Sequence, residues 1–345
     1  MRHRQPHRAT VVAMQPTDLL QPTPAGLYSP AGDFYVDPVR AVPRAVITHG
    51  HADHARAGHG AVLATAPTVD VMRLRYDRKG RSSYQAAAYG ETVEIGGVGV
   101  TLRPAGHVLG SAQVALEHRG LRIVVSGDYK RRPDPTCEPF EPVACDIFIT
   151  EATFALPVFR HPDALDEVGK LMSSLRAFPE RCHLVGAYSL GKAQRMLALL
   201  RQAGYNAPVY VHRAVADMNA LYAAHGCDLG PTRTLDGMPA AELAGEIAIS
   251  PPGGDTGVVG DWPDPVVAMA SGWMGVRARA RQRGVELPLT ISDHADWDEL
   301  TATTHEMGDR EVWITHGRDD ALGHHLAASG KAARALDLVG RDDDE

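Results

Sequence analysis

The first half of the chain is a succession of short apolar or alternating runs. Asp33–Asp37, Ala45–Thr48, Thr92–Ile95, Val98–Arg103, Ala112–Glu117, Leu121–Ser126 and Asp146–Glu151 are separated by Gly, Pro and Asp, and each predicts a β-strand. A single helix, Thr68–Arg75, is expected among them. Strands at this density predict stacked sheets with helices outside. The middle of the chain alternates strand with helix. Helices are expected at Ala164–Ala177, at Lys192–Ala203 and at Ala214–Ala224, the second with Ala193, Met196, Leu197 and Leu200 on one face and Gly204 as its stop. Strands are expected between them at His183–Tyr188 and Pro208–His212, and such βα alternation reads as a small parallel α/β unit. After the Gly/Pro-rich passage Pro251–Gly260 come a strand at Val266–Ser271 and a helix at Met274–Arg283. The end predicts strand Leu287–Ser292, helix Asp296–Met307, strand Glu311–Thr315 and a helix from Ala321. There is no internal repeat.

Composition adds limits. At 345 residues the chain can hold one large or two modest domains. Its 44% hydrophobic and 22% charged residues are those of an ordinary soluble protein. No run approaches the length of a membrane span, and the Arg/His-rich Met1–Thr10 is not followed by the apolar stretch of a signal peptide. A cytoplasmic, bacterial protein with no membrane partner is the expectation. The net charge of -7 argues against a non-specific polyanion binder, so any basic surface must be local. The short acidic tail Arg341–Glu345 reads as solvated. Cys137, Cys145, Cys182 and Cys227 show no CxxC spacing, and buried reduced thiols are expected.

Candidate chemistry sits in a few histidine-bearing segments. The strongest is Thr48-His49-Gly50-His51-Ala52-Asp53-His54, directly after an apolar strand. Imidazole and carboxylate are the ligands that zinc prefers, and a loop leaving a strand can aim several of them at one spot. His107 follows in a turn between two β runs, within Gly106–Ser111, and Asp128 follows the strand Leu121–Val125.

This set resembles the metallo-β-lactamase superfamily, whose HxHxDH signature is matched by His49, His51, Asp53 and His54. The resemblance implies that His49, His51 and His107 hold one metal, Asp53 and His54 a second, and Asp128 bridges. It casts Asp37 as a residue that orients a ligand imidazole. Asp128, where other members carry cysteine, together with Asp53 and His54, disfavours the antibiotic-hydrolysing and single-iron branches. The best candidate for the final ligand is His316, in Trp313–Gly317, beyond the α/β unit. An insertion at that point is similar to the β-CASP nucleases. Thr150–Phe154, Ser292–Asp296 and His316-Gly317 resemble their acidic and histidine motifs, and Gly191–Gln194 and Met269–Met274 resemble stretches inside and at the exit of their inserted domain.

By length and compact insertion the chain most resembles bacterial ligase-associated DNA exonucleases. The resemblance implies an αββα metallo-β-lactamase sandwich from residues 1–155 and 285–345, with a β-CASP-type α/β domain at 156–284. It implies two divalent metals, zinc or manganese, about 3.5–4 Å apart, activating a water that attacks a phosphodiester. Asp53 belongs to that catalytic set, with His294 as general acid and Glu151 polarising its imidazole. Nucleic acid is the implied partner, DNA before RNA, with a functional association to an ATP-dependent DNA ligase and a helicase. An RNA-processing nuclease of the same fold is the alternative, since RNA-processing members keep the histidine that His316 matches. A small-molecule hydrolase and an inactive scaffold are further readings. For strand binding the residues themselves offer Ser189 and Lys192 at a strand–helix turn, where free amides favour an anion, and the dense basic run Arg277, Arg279, Arg281 and Arg283. Tyr188 and Trp273 are candidates for stacking a base.

Overall fold

A computed structural model describes residues 14–77, 79–253, 262, 264–308, 310–317 and 319–336. The basic N-terminal segment, the acidic tail, most of the Pro251–Gly260 passage and the side chain of His316 lie outside the described residues.

A six-stranded sheet comes first, with its strands in sequence order: β1 (Gln21–Thr23), β2 (Gly26–Ser29), β3 (Phe34–Val36), β4 (Arg44–Val46), β5 (Ala61–Ala64) and β6 (Ser83–Ala86). The chain then builds β7 (Thr92–Ile95), β8 (Val98–Pro104), β9 (Ala112–His118), β10 (Leu121–Val125) and β11 (Ile147–Ala152) of a second sheet. It leaves that sheet to form a third, all-parallel one. Its strands are β12 (His183–Gly186), β13 (Val209–Val211), β14 (Thr232–Thr234), β15 (Ile247–Ser250), β16 (Val266–Ala270) and β17 (Leu287–Leu289), in spatial order β14-β13-β15-β12-β16-β17. Afterwards it returns to the second sheet with β18 (Glu311–Gly317) beside β11, and β19 (Ala332–Ala335) outside that. Eight helices are described, of which α1 is the single turn Pro16–Leu19. The others are α2 (Ala66–Arg75), α3 (Ala164–Ala177), α4 (Lys192–Gln202), α5 (Arg213–Ala224), α6 (Arg277–Gln282), α7 (Trp297–Glu306) and α8 (Asp319–Ala328).

The layering follows from which faces are apolar. Leu27, Phe34, Val36 and Val46 of the first sheet share one core with Val114, Ile123, Ile149 and Trp313 of the second. The opposite face of the first sheet is closed by Val69 and Met72 of α2, and that of the second by Leu300, Leu322 and Leu326 of α7 and α8. Successive residues of a strand point to opposite faces. In β10, Ile123 and Val125 therefore enter the shared core while Val124 packs toward α7 and α8. A strand buried on both faces reads as a continuous apolar run, as the sequence of β10 and β11 does. In the third sheet α4 lies in the core, with Ala193, Met196, Leu197 and Leu200 fully buried. No helix among the described residues is long and apolar enough to cross a membrane.

Several expectations need adjustment. The sequence pattern shows no run at β1, β2, β5, β6, β14, β15 or β19; they are short, and the edge strand β6 is largely exposed. The helix expected over Met274–Arg283 is only α6, because Gly272–Gly275 forms a tighter 3₁₀ turn capped by Ser271. The four cysteines are free thiols as expected, but Cys182 alone is buried and the other three are half-buried.

Candidate metal centre

The site grows from strand ends. Just past β3, Asp37 takes a left-handed backbone conformation (φ 44°), which aspartate tolerates better than most residues. Its buried carboxylate accepts three hydrogen bonds: from the Thr48 amide at 2.8 Å, the Thr48 hydroxyl at 2.6 Å and His54 Nδ1 at 2.7 Å. The loop leaving β4 is thereby pinned to the neighbouring strand, with its imidazoles turned inward.

These bonds also decide where the protons are. A carboxylate or carbonyl only accepts, so the ring nitrogen facing it must carry the hydrogen. His54 donates from Nδ1 to Asp37, which leaves the lone pair on Nε2. The hydroxyl hydrogen of Thr48 is used on Asp37, so Thr48 Oγ1 accepts from His49 Nδ1 at 3.0 Å and His49 also turns a bare Nε2 inward. His51 donates from Nε2 to the Leu190 carbonyl at 3.2 Å, and His107 from Nδ1 to the Asp293 carbonyl at 2.9 Å. The remaining nitrogens, His51 Nδ1 and His107 Nε2, face each other at 3.0 Å. Two lone pairs at that distance repel unless a cation or proton lies between them. Burial holds His49 and His51 below the ordinary imidazole range and, with the neighbouring His294 and His51 rings, brings His107 down to about 3, so a proton is disfavoured. A metal cation fits. His49 Nε2, buried and without a hydrogen-bond partner among the described residues, points to the same conclusion.

Asp128 stands where the two donor sets meet. It follows β10 through Gly127, whose positive φ (58°) and close approach to Thr48, 2.7 Å from an added Cβ, leave no room for a side chain. Its Oδ2 lies 3.4 Å from His49 Nε2 and 3.7 Å from His107 Nε2, whereas its Oδ1 lies 3.3 Å from His54 Nε2. The donor atoms of His49, His51, His107 and Asp128 fall within 4.8 Å of one another, and so do those of Asp53, His54 and Asp128. Asp53 Oδ2 lies 3.2 Å from His54 Nε2, the nitrogen left bare on that ring. A third cluster joins Asp128 to Glu151 and His294. Glu151, near the end of β11, accepts from the Tyr129 amide at 2.7 Å and from His294 Nδ1 at 2.8 Å. This fixes the His294 ring, which stands 4.7 Å from that of His107.

The other predicted residues fare unevenly. Lys192 is turned away from solvent in this fold. It is fully buried, donates to the Ile291 carbonyl and pairs with Asp293 at 3.2 Å. Ser189 and Tyr188 are half-buried on the turn before α4. Arg277, Arg279, Arg281 and Arg283 are exposed, and Arg279 stacks over Trp273 at 3.8 Å. His316 stands in β18, with its side chain outside the described residues. Thr48 and the carbonyls of Leu190 and Asp293 were absent from the expected site. Thr48 adjoins the motif; the carbonyls carry no sequence signal. Replacing Asp37 by Asn should weaken metal affinity by about 10–100-fold, the usual cost of removing a partner that orients a ligand. Competition with a fluorescent chelator measures this, and an unchanged affinity would remove Asp37 from the role.

Fold and donor set together define an α/β protein in which strand ends bring together His and Asp groups able to hold metal ions. No family model matches the chain. Similar over most of its length is the "Probable DNA ligase" of Opitutus terrae, 28% identical over 323 residues, covering 90% of this chain and 30% of that protein. The cleavage and polyadenylation specificity factor subunit 3 of Dictyostelium discoideum is 28% identical over 239 residues, covering 57% of this chain and 30% of the relative. Endoribonuclease YSH1 of Mycosarcoma maydis is 30% identical over 214 residues, covering 50% and 24%. The chain spans less than a third of the length of these relatives. A crystal structure of a protein of unknown function from Enterococcus faecalis V583 shares the fold, with a TM-score of 0.57 and 13% identity over 86% of this chain and 80% of that one. The chain is thus similar to proteins named for the joining or cleavage of nucleic acid.

Proposed function

We propose that this chain is a phosphodiesterase of nucleic acid, a DNA exonuclease in repair, working with two divalent metal ions, zinc or manganese. In this reading the first two sheets and their helices are the αββα sandwich of a metallo-β-lactamase, and the third sheet belongs to an inserted β-CASP-type domain. The observation that carries it is Asp128, one carboxylate facing two separate imidazole sets, with the Glu151–His294 pair at its side.

Bound metals would lower the pKa of a water to near 7 and stabilise the attacking and leaving oxygens. His49, His51 and His107 would hold one ion and Asp53 and His54 the other, with Asp128 between; His316 is the proposed last ligand. The chain's own residues do the rest. His294 delivers a proton from Nε2 to the leaving ribose or deoxyribose oxygen, while Glu151 holds the ring and stabilises its positive charge. Phe154 and Trp273, with ring centroids 4.8 Å apart, close an apolar wall beside His294.

RNA is the second reading, favoured by the relative named as an endoribonuclease. Turnover of labelled single-stranded DNA, the same sequence in RNA and a generic thioester, each with zinc and manganese, separates these readings. DNA cleavage by protein holding close to two ions per chain is expected. Thioester turnover alone, or activity with one ion or none, would sink the proposal. The exposed arginines of α6 and its end are the proposed backbone contacts. Neutralising Arg277, Arg279, Arg281 and Arg283 together should weaken single-stranded DNA binding and flatten its salt dependence, by a slope of roughly 0.7 per lost phosphate contact. Hydrolysis of a small phosphodiester should survive. An unchanged salt slope would make the run a solvated helix face.

A further inference from the structure

A cavity of about 410 Å³ opens between the loop after β10, the start of α3, the face of α4 and the segment after β17. Lys130, Arg132, His161, Arg195, Thr290 and Ser292 are among its lining residues, and none of the metal-donor residues belongs to it. It is large enough for a small organic ligand rather than a single water.

The charges around it are unevenly matched. Arg132 is occupied by Asp296 at 2.6 Å, by Glu299 at 3.4 Å and by the His161 carbonyl. Arg195 is held by the Ser292 carbonyl and lies 3.4 Å from both Asp134 and Asp293. The two carboxylates in the wall are engaged as well. Asp134 accepts from the Thr136 amide and hydroxyl, and Asp163 caps α3 by accepting from the Leu165 amide. Lys130 is the exception. It is 2% exposed, yet among the described residues its ammonium has no hydrogen bond and no carboxylate within ion-pair distance. His161, 8% exposed, has no partner for either ring nitrogen. Burial and the Arg195 charge push the ammonium down to about 7, although Glu299, Asp293 and Asp134 favour its charge from beyond ion-pair distance; a buried cation with no hydrogen-bonded partner is costly, and buried unsatisfied groups in a native protein call for an explanation. The first turn of the 14-residue α3 also faces this space, and its amides favour negative charge.

We propose that the cavity binds a phosphate-class anion, free phosphate or the phosphate group of a small molecule, with Lys130 as its charge partner and His161 as a second donor. The site is separate from the metal centre, and its occupant is not the scissile group.

Calorimetric titration of the metal-loaded full chain with orthophosphate, and separately with a nucleoside monophosphate, tests this. Lys130→Met should weaken one binding event by at least about tenfold, the worth of one charge-assisted hydrogen bond. His161→Gln should weaken the same event and provides a second variant should Lys130→Met fail to fold. The event should persist in Asp128→Ala, where the metal centre is dismantled. Tighter binding of the monophosphate would assign a phosphorylated small molecule, and equal affinities would assign free phosphate. If phosphate binding is unchanged in both pocket variants, or disappears entirely in Asp128→Ala, the proposal is wrong.

Discussion

Asp128→Ala should abolish phosphodiesterase activity, lowering kcat/KM by at least about 10⁴-fold. Most metal ligands of the proposed centre serve one ion, but Asp128 presents Oδ2 to His49 and His107 and Oδ1 to His54. Its loss removes one donor from each set and lets four inward lone pairs confront one another. Both occupancies should fall together. A water outside such a site has a pKa of about 15.7 against about 7 within it, which leaves ample room for the expected loss of about 5 kcal/mol in transition-state stabilisation. Elemental analysis of the purified variant should show well under two ions per chain. A variant that keeps both ions and most of its rate would show that Asp128 does not bridge.

His294→Ala should behave differently. It should keep its metals, because the proposed ligand sets do not include His294, yet lose about 10²–10⁴-fold in rate on an ordinary phosphodiester if it supplies the leaving-group proton. A substrate with an activated leaving group such as nitrophenolate needs no proton and should lose much less. Glu151→Gln should show the same dependence on leaving group with a smaller loss, about 10–100-fold, since it orients the ring rather than touching substrate. The ratio between the two substrates is the measurement that decides. Equal losses on both would remove His294 from acid catalysis and leave it a structural neighbour of His107.

How much of this was legible in the sequence depends on whether the signal is local. The HxHxDH run announces its chemistry because four donors within six positions have few structural uses, and the structure brings all four near Asp128. The double-faced strands β10 and β11 were legible as apolar runs because both faces are covered. Short strands such as β5 and β15, four residues each, offer too few positions for a period to show. Lys192 shows the limit of a local signal. A glycine and a lysine at a strand–helix turn look like an anion loop, and only the fold brings Asp293, a hundred residues on, against the ammonium. The carbonyls that fix His51 and His107 were beyond reach for a plainer reason: every residue has one, so its identity carries no information.

Those two carbonyls have a consequence for how the protein comes into being. The partner of His51 lies 139 residues downstream, and that of His107 lies 186 residues downstream. Until both have been synthesised and folded back, each ring is free to rotate and to carry its hydrogen on either nitrogen. A nascent chain that has made the whole HxHxDH loop, His107 and Asp128 therefore still lacks a preorganised receptor for metal. Loading of the proposed metals would become a late event, coupled to completion of the third sheet. The same dependence means that trimming the segment between β11 and β18 to obtain a smaller hydrolase would remove the Leu190 and Asp293 anchors and leave a metal set with correct residues and unfixed rings.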